Sequence, residues 1–282
     1  MHNMLAMTSL NSPVFIIAAK EIKDSFRNRW ISFISLIFIV LSLSITFAGS
    51  AITGTLALPT LPNLMTSLST VSVFIIPLAA ILLSYDAFVG EDEAGTLLLL
   101  LSYPLTRFQI ILGKLLGHGV VMFVSISFAF GGTGILLLLL GETYSVMETL
   151  LVFMQFILSS FLLALTFILV GYTVSLRATE KARAVGSLLF IWFLFVLLYD
   201  LLLLAVLVAE LSVINQSVLN LLIALNPTDL YRAVNEMAID SREGLSLLNG
   251  TSWALEGLYA SMLVWICILM AVSYQLFRRK SL

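Results

Sequence analysis

A chain of 282 residues that is 60% hydrophobic and 11% charged, with a mean hydropathy of +1.09, has too little polar surface to cover a globule in water, since ordinary soluble chains carry roughly 25% charged residues. The formal charge of -2 says little as a total, because in a membrane protein the placement of Lys and Arg between apolar blocks sets orientation. The lone cysteine, Cys267, excludes both a disulfide framework and a CxxC redox or metal pair within one chain. The expectation is an all-α integral membrane protein forming one transmembrane domain over residues 1–282.

At the N-terminus, Met1, His2, Met4 and Met7 form a soft-ligand set of the kind that suits Cu(I), although alternative start codons explain repeated methionines equally well. The first thirty residues do not read as a signal peptide: their charges follow the short apolar patch and no small-residue cleavage site precedes a mature domain. Ser12 followed by Pro13 is a good helix start. Over 13–30, Phe15, Ala19, Ile22, Phe26 and Arg29 share one face, with Lys20, Lys23, Asp24 and Arg27 largely off it, which predicts an amphipathic helix in the membrane interface. A solvated helical lead-in is the plainer alternative.

Six blocks, 31–52, 66–85, 119–140, 150–176, 184–209 and 255–276, approach or exceed the roughly 20 apolar residues that cross about 30 Å of hydrocarbon. None shows the period-2 alternation of a barrel strand. The joints orient them. Lys20, Lys23, Arg27, Arg29, Arg107, Lys114, Arg177, Lys181, Arg183, Arg278, Arg279 and Lys280 fall on one side, against Arg232 and Arg242 on the other. Basic residues favour the cytoplasm, so both termini are expected inside.

Between the second and third blocks, 86–118 reads as the longest cytoplasmic loop, with Glu91, Asp92, Glu93, Gly95, Pro104, Arg107 and Lys114 around a leucine run at 97–101. A run that apolar outside a span must be covered by something. Pro104 separates it from the next helix. In the fifth block Asp200 is the clear intramembrane ionisable residue, a placement that costs about 2.5–3.5 kcal/mol on insertion scales. It either lines a cavity or gate between subunits or is a hydrated interfacial carboxylate beside Tyr199. The external stretch 210–254 contains the Asn226-Pro227 turn signal, Thr228 as a cap, Asp229 in a favourable first turn, and an apolar face of Leu230, Ala233, Val234 and Met237. That face could dock a protein or lie on the bilayer. Asn215-Gln216-Ser217 and Asn249-Gly250-Thr251 match the glycosylation pattern, which is too short to assign a role.

Gly113-Lys114 is followed by Leu115 and lacks the upstream glycine of a GxxxxGK[ST] phosphate loop, so ATP and Mg are expected on a partner and no cofactor on this chain. His2 and His118 are the only histidines and no HExxH occurs, so no resident metal is expected.

The segment YDAFVGEDEAGTLLLLLSYPLTRFQIILGK, residues 85–114, resembles the first cytoplasmic loop of ABC-2 type permeases: an acidic-glycine stretch, a leucine run, Pro then Arg, and Gly-Lys leading into the third span. The resemblance implies a six-span subunit that pairs with a second copy and takes the stroke of two separate cytoplasmic ATPase subunits. Coupling segments then fall around 91–102 and 177–183, with Glu91, Glu93, Gly95, Leu97, Arg107, Lys114, Arg177, Glu180 and Lys181 as candidates; otherwise their charges are positive-inside anchors. FIIAAKEIKDSFRNRW, IWFLFVLLYD and ALNPTDLYRAVN carry a narrower resemblance, to permeases of the ABC complexes that mature the copper sites of nitrous oxide reductase. It implies the bacterial inner membrane, a periplasmic β-helical subunit contacted by Asn226, Asp229, Tyr231 and Arg232, a copper-carrying lipoprotein, membrane lipid, and no nucleic acid. No ladder of Met, Cys or His crosses the spans, so transmission of work outward is expected rather than copper passage. A generic ABC-2 exporter of an ion, lipid or drug shares the loop motif, and an intramembrane enzyme would have to use Asp200 or Glu256.

Overall fold

The computed structural model describes residues 12–27, 29–53, 58–141, 144–208, 216–238 and 255–280, and every regular element among them is helical. Helix α1 (Pro13–Arg27) starts where Ser12 presents its carbonyl to the amides of Phe15 and Ile16. Arg29, at a left-handed φ of 57°, then turns the chain into α2 (Trp30–Thr53). The long helix α3 (Leu61–Ser84) is followed by two short ones, α4 (Val89–Glu93) and α5 (Thr96–Ser102). Then come α6 (Arg107–Leu140) and α7 (Val146–Arg177). Helix α8 (Lys181–Phe193) runs through a π-helical turn, Leu194–Leu198, into α9 (Tyr199–Val208). A hairpin of α10 (Gln216–Leu225) and α11 (Pro227–Ala238) precedes the last helix, α12 (Leu255–Arg279).

Five of these are long and apolar enough to span a bilayer, or six if the bent α1–α2 pair counts as one broken span. Several outrun the sequence expectation. Helix α6 begins at Arg107, not near 119, because Thr106 and Gln109 close a reciprocal capping box. The expected loop at 86–118 therefore contracts, and Lys114 becomes a residue of the third turn of a long helix.

Helix α7 is the central post, packed on α3, α6, α11 and α12 through buried Phe156, Phe167 and Tyr172. Hydroxyl pairs, Ser42 with Thr133 at 2.7 Å and Ser35 with Ser125 at 3.0 Å, join α2 to α6, a form of helix association that works in lipid, where apolar burial alone gives no preference for helix over acyl chain. The most apolar stretches of α8–α9 and of α12 are only 11% buried, so these helices form the outer wall.

The bundle has two unlike ends. At the charged end meet α1, α4, α5, the starts of α6 and α8, and the ends of α7 and α12. At the hairpin end, Leu230, Ala233 and Val234 of α11 are buried against the bundle, with α3, α7 and α12 as neighbours. The apolar face of α11 thus neither docks a partner nor lies on the bilayer. Its N-cap is Asn226, whose side-chain carbonyl accepts from the Thr228 amide at 3.1 Å, with Pro227 in the first helical position.

Candidate functional site

At the charged end, α1 lies across α6 where Gly113 and Gly117 remove the side chains between two backbones. A Cβ on Gly113 would sit 2.7 Å from the Ile17 Cβ, and one on Gly117 would sit 2.6 Å from the Glu21 Cβ and 2.9 Å from the Ala18 carbonyl oxygen. The close approach carries Glu21 to Lys114. Lys114, 1% exposed, donates to Glu21 Oε1 at 2.8 Å and to Glu91 Oε1 at 2.7 Å. Lys20 bridges the same two carboxylates at 3.0 and 2.8 Å. His118, one turn beyond Lys114, has Nε2 3.5 Å from Glu21 Oε2 and Nδ1 2.8 Å from the Tyr172 hydroxyl.

Burial by itself would raise the Glu21 carboxyl; the hydrogen bond to His118 and the charges of Lys114, His118 and Lys20 outweigh it and hold Glu21 well below the carboxylate range. For Lys20, burial is outweighed by Glu21 and Glu91, which push it above the usual lysine range. Two ammonium groups between two carboxylates thus form a compact, charge-balanced knot.

The knot fixes α4. Glu91 supplies a shared carboxylate; the Phe88 and Val89 amides donate to Ser175 Oγ at the end of α7 at 3.1 and 3.0 Å. Glu93 accepts from the Lys181 amide at 2.8 Å, and Asp92 pairs with Lys280 at 2.8 Å. Gly90 leaves room for the Lys181 side chain, whose Cε would be 3.0 Å from an added Cβ. Gly95, at φ 69°, makes the left-handed joint to α5 that a side chain would strain. Leu97 is fully buried beneath that joint, whereas Leu98, Leu99 and Tyr103 are 58%, 65% and 58% exposed. The leucine run is covered on one side only.

Of the sequence candidates, Glu91, Glu93, Gly95, Leu97, Lys114 and Lys181 come together around α4 and α5. Arg107 stacks over the Phe277 ring and donates to the Phe277 carbonyl at the end of α12. Arg177, the last residue of α7, and Glu180, on the short joint before α8, are exposed, and Glu180 makes a loose 3.8 Å pair with Arg183. Glu21, Lys20 and His118 were missed as site residues. The signal for them is Gly113-xxx-Gly117, a small-residue spacing for close helix packing, with Lys114 and His118 four apart beside it. On α1, Phe15 and Phe26 are exposed on the side away from the bundle, and the face turned to α6 is Ile17, Ala18, Glu21 and Ser25.

At the hairpin end, Asp200 and Asp229 flank Arg232, whose guanidinium is 2.5 Å from Asp200 and 3.4 Å from Asp229. They line a cavity of about 230 Å³ walled by Leu203, Leu204, Leu219 and Ile223. Burial, with Asp200 beside it, pushes the Asp229 carboxyl up to about 7 against the opposing pull of Arg232 and Asn226. Asn226 and Tyr231 are fully buried and Asp229 nearly so. These three expected contact residues are therefore engaged inside the chain, and Arg232 is engaged by the two aspartates. Glu256 is exposed on the first turn of α12. Met1, His2, Met4, Met7, Asn215, Arg242 and the 249–251 motif lie outside the described residues, and among those described no group of three or more His, Cys, Asp or Glu is arranged to hold a metal.

Comparison with known proteins agrees with this arrangement. Residues 15–282 match the family described as ABC-2 family transporter protein. The chain is 41% identical over 271 residues to the probable ABC transporter permease protein NosY of Stutzerimonas stutzeri, covering 95% of this chain and 98% of that one. It is 40% identical over 270 residues, with the same coverage, to the protein of that name in Pseudomonas aeruginosa PAO1. On the full-length match, together with the helical bundle and its gripped first loop, the chain belongs to the ABC-2 family of transporter permeases.

Proposed function

We propose that this chain is the permease of an ABC complex in which two copies are driven by two cytoplasmic ATPase subunits, carrying ATP and Mg, to support copper-site assembly of nitrous oxide reductase in the periplasm. The observation that carries the reading is the α4–α5 unit. Its far side offers Leu98, Leu99 and Tyr103 to a partner, a cluster of exposed apolar side chains outside the apolar blocks. Its near side is tied to α1, α6, α7, α8 and the end of α12. A push on α5 therefore reaches most of the bundle at once. The excess of Lys and Arg on the joints at this end favours its facing the cytoplasm.

The copper-site reading rests on similarity to the two NosY proteins along nearly the whole chain. Under it, the hairpin end faces a periplasmic β-helical subunit and a copper-carrying lipoprotein, and this chain conveys motion rather than metal. The test is a deletion strain complemented with the tagged chain. The expected result is copper-poor nitrous oxide reductase in the deletion, copper restored by the complementing chain, and ATPase and β-helical subunits recovered with it. A fully copper-loaded reductase in the deletion strain would leave the chain as a generic ABC-2 exporter.

A further inference from the structure

The π-helical turn in the fifth long helix sits where the hairpin touches it. Positions five apart on an α-helix of 3.6 residues per turn point about 140° away from each other, whereas a turn closed by an i→i+5 bond holds an extra residue and brings them nearer to one face. The bond from the Tyr199 amide to the Leu194 carbonyl closes such a turn. Phe195, through its backbone carbonyl, and Asp200, through its side chain, both meet the hairpin. The Phe195 carbonyl accepts from Asn226 Nδ2 at 3.0 Å and from Thr228 Oγ1 at 3.3 Å, and Asp200 accepts from Arg232. Between them the Tyr199 hydroxyl donates to the Leu222 carbonyl of α10 at 2.7 Å. Asn226 also donates to Asp229, which ties the turn to the charge pair.

We infer that Asn226, Thr228 and Arg232 form a clamp that recognises the π-turn and makes the hairpin and α9 one moving part, so that a shift of the fifth span reaches the outer surface. These are positioning residues for the proposed coupling, and the inference rests on that reading. If the turn relaxed to regular α-helix, one residue of register would be lost and α9 would rotate by about 100°. That rotation carries Asp200 away from Arg232 while Phe195 loses its two donors. The clamp and the turn therefore stabilise each other.

The experiment uses the purified full complex with Cys267→Ser and spin labels in place of exposed side chains. One pair, at Leu202 and Leu221, spans α9 and α10; a second, at Leu202 and Phe128, spans α9 and α6. The expected result is a Leu202–Leu221 distance that stays narrow and constant with and without ATP, and that broadens and shifts when Asn226→Ala and Thr228→Ala are introduced. Should that double variant fail to assemble, Asp200→Asn reads the same distance and is expected to broaden it. Independent motion of α9 and α10 in the unaltered clamp, or a distance indifferent to these substitutions, overturns the inference. The second pair separates the two ideas: its failure to respond to ATP counts against nucleotide coupling, whereas the clamp is decided by the first pair alone.

Discussion

The two ends of the bundle both bury charge, and they balance it differently. At the charged end Lys20 and Lys114 stand between Glu21 and Glu91, each carboxylate shared by both ammonium groups. At the hairpin end a single Arg232 serves Asp200 and Asp229; each end leaves one buried carboxylate oxygen without a hydrogen-bond partner, Glu91 Oε2 at the first and Asp200 Oδ1 at the second. The first arrangement suits a rigid joint that must pass force without yielding. The second carries an excess negative charge only once Asp229 gives up its proton, in a cavity with room around it, and suits a contact that changes state.

The largest effect expected from breaking this comparison is Lys114→Met, which leaves Glu21 and Glu91 to the half-exposed Lys20, with His118 beside Glu21; removing one partner of a buried pair costs roughly 3–5 kcal/mol. Thermal unfolding of the purified chain in detergent measures it, and loss of ATPase-coupled copper loading should accompany it. Gly117→Ala comes next. Its Cβ would press on the Ala18 carbonyl at 2.9 Å, and pushing α1 off α6 costs about 1–3 kcal/mol, as overpacking does, although every charge remains.

The pH responses should run in opposite directions. Glu21 is held below its ordinary 4.5, so its contribution is fully present above that pH and is lost as pH falls further through the folded value. Asp229 is raised from 3.8 to about 7, so the folded hairpin holds a proton that the unfolded chain releases. With Asp200, Arg232, Asn226 and Tyr199 around it, the hairpin should weaken as pH rises from about 4 to 7, and Asp229→Asn should flatten that dependence. Hydrogen exchange of 216–238 followed across pH checks it. The smallest effect belongs to Lys280→Ala, which removes a partly exposed pair with Asp92 and should cost no more than about 1 kcal/mol.

Much of this fold is legible in the sequence because apolar block length is a strong signal: the helices fall where the blocks fall. The ordered motif at 85–114 also locates the gripped loop. The ion-pair knot is not legible, because Lys114 meets Glu21 across 93 residues and only packing brings them together. The face of α1 that packs on α6 is not legible either, because the hydrophobic pattern picks out the large apolar residues, whereas the small and polar face, Ala18, Glu21 and Ser25 among it, packs on protein. The π-turn is invisible for a different reason. Leu194–Leu198 is apolar throughout, so one extra residue leaves no break in the pattern.

The most direct measurement is photo-crosslinking in the assembled complex from a benzophenone amino acid at Leu99, with Leu221 as the comparison site. A rigid, force-receiving α4–α5 unit should give an adduct between Leu99 and the ATPase subunit, and none from Leu221. An ATPase adduct from Leu221, or a Leu99 probe that reaches only lipid in an ATP-hydrolysing complex, would contradict it.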